Sequence, residues 1–77
     1  MTYICRFTYT NSSLNPLRLV LEPWAEEYVI QPNSSAEVIG EGGEAGSYFE
    51  LEQLDDRLII YAWIGCVAYI TLRGEKS

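Results

Sequence analysis

Histidine is absent from this chain of 77 residues, and basic side chains are few, five against eleven acids. Without imidazole, general acid–base chemistry would fall to carboxylates, tyrosines and two thiols, and we expect no enzyme. The net charge of −6 disfavours direct binding to nucleic acid or to anionic membrane, because both need a basic surface. It favours solubility alone, or a protein partner with a basic surface that is reached by electrostatic steering.

Cysteine is scarce, and both Cys5 and Cys66 lie in apolar stretches that are typical of buried thiols. A Cys5–Cys66 disulfide is the alternative if the first and last strands are neighbours. Neither cysteine has a CxxC partner, so zinc and thioredoxin-type sites are not expected. No spacing of Asp, Asn and Glu matches a calcium loop, and the sequence predicts neither metal nor cofactor.

No apolar run is long enough for a membrane helix. The longest uncharged run, residues 58–72, would be about 22 Å long as a helix, against a hydrocarbon core of about 30 Å. The first residues show no charged start followed by an apolar run, so no signal peptide is expected. These features predict a cytoplasmic protein.

Short stretches of alternating apolar and polar residues fill the chain, with turn residues between them. The pattern predicts one all-β domain over residues 1–77, an antiparallel sandwich or partly open barrel of about seven short strands, with a frayed tail at 74–77. A mobile glycine-rich loop is expected at 40–46, and a type II′ turn at Gly65-Cys66 would join the last two strands as a hairpin. The expected strands are residues 3–10, 17–22, 28–30, 36–39, 48–53, 58–64 and 67–72.

The last two predicted strands are apolar on both faces. This pattern is typical of a central strand that is buried on both sides. Alternatively, Tyr61, Trp63 and Tyr69 form an exposed patch, which would be a partner surface or a homodimer seam.

Residues 22–28, EPWAEEY, place three carboxylates around a tryptophan. In a structural interpretation Pro23 ends a strand, Trp24 covers the end of the core, and the acids lie in water at a corner. In a functional interpretation an aromatic anchor rimmed by carboxylates engages a basic partner. Both can hold. The candidate partner-binding residues are Trp24, Glu26, Glu27, Tyr61 and Trp63.

The run FTYTNSSLNPLRLVLEPWAEEYVIQPNSSAEV, residues 7–38, resembles small, uncharacterised bacterial proteins. Their shared pattern is an L-x-L-x-x-EPW-x-E-E-Y core followed by a proline-led turn and an E-V strand. The resemblance implies no activity and assigns no functional residue. In size and acidity the chain is also similar to phage-encoded inhibitors and toxin-immunity proteins.

These observations favour a non-enzymatic, acidic protein-binding module. The most concrete form is a small inhibitor that blocks a basic site on its partner, such as a nucleic-acid-binding site, as anti-CRISPR or immunity proteins do. One alternative is a homo-oligomeric structural β-protein. Another is a carbohydrate-binding or weakly hydrolytic β-domain, which would need a concave pocket lined by carboxylates.

Overall fold

The computed structural model describes residues 2–74, and within them the chain forms seven β-strands and no helix. The predicted all-β fold class is confirmed. Of the tail that was expected to fray, residues 75–77 lie outside the described residues. The strands are β1 (Ile4–Thr10), β2 (Leu17–Glu22), β3 (Glu26–Ile30), β4 (Ser35–Gly42), β5 (Glu50–Gln53), β6 (Arg57–Tyr61) and β7 (Cys66–Arg73).

The strands form a sandwich of two sheets. One sheet has three strands in the order β1-β4-β7, and the other has four in the order β3-β2-β6-β5. All pairs are antiparallel except β2 and β6, which run parallel with Leu19 opposite Leu58 and Glu22 opposite Tyr61. This parallel pair departs from the predicted antiparallel arrangement.

Period-two alternation decides which side chains form the core. On β2, Leu19 and Leu21 are fully buried. Arg18, which precedes Leu19, points away from the core and is exposed. Successive strand residues point to opposite faces of a sheet, so every second residue meets the facing sheet. The buried apolar cluster contains Leu19, Leu21, Ile30, Ala36, Val38, Phe49, Leu58 and Ile60.

The predicted hairpin between the last two strands is wrong. β6 pairs with β2 and β5, whereas β7 crosses to the other sheet and pairs with β4. β6 is a central strand and is buried almost throughout, as its two-sided apolarity indicates. β7 lies at a sheet edge with its outer face exposed, so Tyr61 and Tyr69 belong to different sheets and do not form one patch.

A row of small residues across the three-stranded sheet makes room for aromatic rings from the other side. Cys5, Gly40 and Ala68 lie opposite one another on β1, β4 and β7. A Cβ on Gly40 would lie 2.5 Å from the Trp63 ring and 2.7 Å from the Phe49 ring. Residues 40–42, which were expected to begin a mobile loop, therefore form the end of β4. Glycine at position 40 allows the two aromatic rings to approach the strand closely.

Asn11 ties two strand connections together. Its side-chain amide donates to the carbonyls of Ile30 at 2.9 Å and Asn15 at 2.8 Å. Its side-chain oxygen accepts from the Ser13 backbone at 3.0 Å, and its own backbone bonds to Asn33 and Ser34. Asn11 is buried with these partners, so a residue type that suggests a solvent-exposed turn is part of the packed interior.

Both cysteines are free thiols, with Cys66 buried and Cys5 half-buried. Burial is the main cause that raises the pKa of the Cys66 thiol above its ordinary value. Between residues 2 and 74 there is no helix that is long and apolar enough to cross a membrane.

Candidate functional site

A groove opens at the end of the four-stranded sheet, between the segments 22–24 and 61–66. Its volume is about 480 Å³. We call it the tryptophan groove, because it lies between Trp24 and Trp63. The other lining residues are Glu22, Pro23, Tyr61, Ala62, Ile64, Gly65 and Cys66.

The parallel pairing of β2 and β6 brings the two walls of the groove together. Both strands end at the same edge, with Glu22 opposite Tyr61. The Ala62 backbone N–H donates to the Glu22 carbonyl at 3.0 Å, which continues the ladder by one residue. The Ala25 backbone N–H donates to the Glu22 carboxylate at 3.1 Å, and this bond holds the turn that carries Trp24. Trp24 is 42% exposed at the rim.

Trp63 fills the end of the sandwich rather than reaching into water. Its indole N–H donates to the Gly42 carbonyl at 2.9 Å. Its ring meets Phe49 edge-on at 4.8 Å and Tyr3 at 5.8 Å between ring centres. Such edge-to-face pairs are favourable geometries for aromatic rings. Trp63 therefore forms the floor of the groove, and Trp24 is its accessible tryptophan.

Tyr61 lies among three glutamates on the outer face of the four-stranded sheet. In register, Glu22 on β2 and Glu50 on β5 flank it on either side. The Tyr61 hydroxyl donates to the Glu52 carboxylate at 2.8 Å, and this bond is the main cause that raises the pKa of Tyr61 above its ordinary 10.0. We call Glu22, Glu50, Glu52 and Tyr61 the acidic patch.

The acidic patch is not neutralised by ion pairs in the described part of the chain. Three ion pairs form within residues 2–74, and their acids are Glu27, Glu37 and Asp56. The patch therefore keeps a negative potential beside an exposed tryptophan, in a chain whose net charge is already −6.

Glu26 and Glu27, two of the predicted partner-binding residues, lie outside the groove. Glu27 is on the outer face beside the Arg18 guanidinium at 3.6 Å. Glu26 accepts a hydrogen bond of 2.8 Å from the Tyr28 hydroxyl, and this bond is the main cause that raises the pKa of Tyr28. The structure thus brings together Trp24, Tyr61 and Trp63, but not Glu26 and Glu27.

Ile64 is a groove residue that the sequence pattern placed wrongly in a strand. β6 ends at Tyr61, and Ile64 is 97% exposed at the tip of the crossing between the sheets. The Cys66 backbone N–H closes this tip by donating to the Trp63 carbonyl at 3.1 Å. The adjacent Gly65, with φ of 84°, lies in the turn that the sequence predicted, but the chain leaves its strand three residues earlier than expected and crosses to the other sheet there.

A second hollow of about 540 Å³ lies at the β1–β2 connection, away from the tryptophan groove. Asn11, Ser13, Asp55 and Asp56 are among its lining residues. It is the kind of polar concavity that a carbohydrate-binding or weakly hydrolytic domain would need, so that alternative stays a prediction. Within residues 2–74 no three acidic or thiol side chains converge closely enough to hold a metal ion.

No protein-family model, curated protein or solved structure matches this chain. The resemblance of residues 7–38 to small bacterial proteins therefore stays an expectation from the sequence. What the groove binds has to follow from its own geometry.

Proposed function

We propose that this protein is a non-enzymatic binding module whose tryptophan groove and acidic patch engage a basic segment of a partner protein. The observation that carries the proposal is the exposed Trp24 in the groove that Glu22 and Tyr61 also line, with Glu50 and Glu52, which form no ion pair within residues 2–74, on the other side of Tyr61. An arginine or lysine of the partner would stack on the Trp24 ring, and its neighbours would pair with Glu50 and Glu52.

The most concrete form of this function is inhibition by occupation of a basic site. A compact acidic domain that covers such a site would exclude the nucleic acid that the site normally binds, as anti-CRISPR or immunity proteins do. Steric block and charge complementarity would be the whole mechanism. A cytoplasmic location belongs to the same proposal, and the two free thiols support a reducing compartment.

The test compares the wild type with charge-reversed variants. Each protein is used to capture basic partners, and its affinity for an arginine-rich peptide is measured as a defined probe. Glu50→Lys/Glu52→Lys changes the acidic patch, and Glu26→Lys/Glu27→Lys is its matched control. Both variants change the net charge equally and lie on the same sheet. We expect Glu50→Lys/Glu52→Lys and Trp24→Ala each to weaken peptide binding by about tenfold or more, since a close charge pair or a stacked cation contributes roughly 1–2 kcal/mol.

Two results would contradict this assignment. If both charge variants bind equally well, the patch is not the site. If only the Glu26/Glu27 variant loses binding, the partner engages the corner of EPWAEEY instead of the groove. Melting curves for all three variants separate a loss of binding from a loss of fold.

A further inference from the structure

The edges of the two sheets differ in how well they are protected against pairing with another strand. β3 and β5, at the edges of the four-stranded sheet, have five and four residues and contain two glutamates each. β7, an edge of the three-stranded sheet, has eight residues and contains no acid and no proline. Short, charged strands discourage edge-to-edge pairing, whereas a long strand with little charge is a template for it.

The backbone groups of β7 alternate between β4 and the open edge. The Gly42 N–H donates to the Tyr3 carbonyl at 2.8 Å, so even-numbered residues of β4 bond to β1 and odd-numbered ones to β7. Because Ile39 lies opposite Tyr69, the odd-numbered residues of β7 are the ones that bond to β4. The residues that direct N–H and C=O groups to the open edge are Ala68, Ile70 and Leu72.

Apolar side chains accompany these backbone groups on both faces of the edge. Val67 and Tyr69 are 54% and 52% exposed on the outer face, and Leu72 is 47% exposed on the inner face. The opposite edge, β1, exposes one large apolar side chain, Ile4, at its start. There the Tyr3 hydroxyl bonds to the Ser47 carbonyl, which holds the connection from β4 to β5 alongside.

We propose that β7 pairs antiparallel with β7 of a second copy of this chain, about a two-fold axis at Ile70. The two three-stranded sheets then form one continuous sheet. In this register Ile70 meets its own counterpart, and Ala68 meets Leu72, so each pair exchanges both of its free hydrogen bonds. The Cys66 N–H is already engaged by Trp63, and this register leaves it out of the new ladder.

The two-fold hydrogen-bond register favours a second copy as the occupant of this edge, and the charges on β7 permit one. Two copies with net charge −6 repel each other wherever carboxylates meet, and β7 has none. The register places Arg73 of one copy opposite Val67 of the other, and Val67 pairs with Glu41 on β4. Within one copy, the Arg73 guanidinium lies 3.4 Å from the Glu37 carboxylate, and 60% of the Arg73 side chain is exposed. In the dimer, Glu41 of the second copy would be two strand spacings from Arg73, about 10 Å between Cα atoms, so Arg73 would turn from Glu37 toward Glu41 across the new strand pair.

The dimer is testable by sedimentation equilibrium of the full chain, and it does not depend on the proposed function of the groove. A single strand pair buries less than a standard interface of about 1,600 Å², so we expect dissociation in the micromolar range, measured from about 1 μM to about 1 mM. Leu72→Pro removes an N–H that points away from β4, and it should weaken the dimer by about tenfold or more without unfolding the sheet.

Charge reversal tests the register itself. Arg73→Glu and Glu41→Arg should each weaken the dimer, and the double variant should restore it, because the pair is reformed across the axis. Melting curves confirm that each variant is folded. A strict monomer up to about 1 mM would overturn the proposal and leave the edge to an extended segment of another protein. A dimer that Leu72→Pro and both charge reversals leave unchanged would overturn it as well.

Discussion

Trp24 and Trp63 line one groove but have different environments. Trp63 is anchored by its N–H bond to Gly42 and by two edge-on rings, so its removal would open a cavity in the core. Trp24 stands at the rim, 42% exposed, and contributes little to packing. Substitutions at Trp63 therefore report on stability, and substitutions at Trp24 report on binding.

Tyr61 should ionise late in an alkaline titration. Its hydroxyl donates to Glu52, and ionisation would place a phenolate beside a carboxylate, so the pKa of Tyr61 is raised above 10.0. Because its pKa is higher in the folded state, the neutral Tyr61 hydroxyl stabilises the fold, and this contribution is fully present at pH values below the unfolded-state pKa of 10.0. That contribution is lost as the pH rises through the folded pKa.

The raised pKa of Tyr61 can be checked by following tyrosinate absorbance during an alkaline titration. Comparison with Tyr61→Phe identifies the part of the signal that comes from Tyr61. Glu52→Gln is the control, and it should move the pKa of Tyr61 back toward its ordinary value. If the component that Tyr61→Phe removes has a pKa at or below 10.0, the hydrogen bond from Tyr61 to Glu52 does not persist in solution.

At the scale of the strands, alternation was predictable but pairing was not. The stretches around β1, β2 and β6 were identified because period-two alternation or two-sided apolarity is local to each strand. The β6–β7 hairpin was wrong because Gly65 suits a tight turn and a crossing equally well, and nothing local decides between them. The groove depends on the parallel β2–β6 pair, which joins residues 22 and 61 that are far apart in sequence.

Asn11 should contribute to stability as a link between two strand connections. Asn11→Ala removes the amide donor from the buried Ile30 carbonyl, whereas the Asn15 carbonyl keeps its bond from the Ser13 hydroxyl. Buried groups that lose their partner cost about 1–3 kcal/mol each, so we expect the free energy of unfolding to fall by roughly that amount. Chemical denaturation measures the change.

Asn15→Ala is the matched control, because Asn15 is exposed and takes part in the network through its backbone. We expect it to change the free energy of unfolding by less than about 0.5 kcal/mol. Equal losses in the two variants would show that the turn sequence matters and that the buried amide does not.

At the scale of the whole molecule, acidity is distributed unevenly. The outer face around Tyr61 concentrates carboxylates, whereas β7 and its open edge carry none. The same net charge can therefore attract a basic partner at one surface and tolerate a second copy at another.

Added salt should weaken binding of an arginine-rich peptide at the groove. Screening shortens the range of exposed charges to about 8 Å at physiological ionic strength and about 3 Å at 1 M, so affinity should fall steeply over this range. The affinity of Glu50→Lys/Glu52→Lys should change less with salt, because the attractive charges are gone. Salt-independent binding by the wild type would contradict the charge-guided mechanism.

The sequence alone determined the all-β class, the positions of most strands, and the acidic, aromatic character of EPWAEEY, because these follow from local periodicity and composition. Tertiary structure alone decided which acids share a surface. Glu26 and Glu27, which follow Trp24 closely in sequence, contact Tyr28 and Arg18, while Glu50 and Glu52 lie on β5 beside Tyr61. The physical reason is that strand pairing brings distant residues together, and its energy depends on the whole fold.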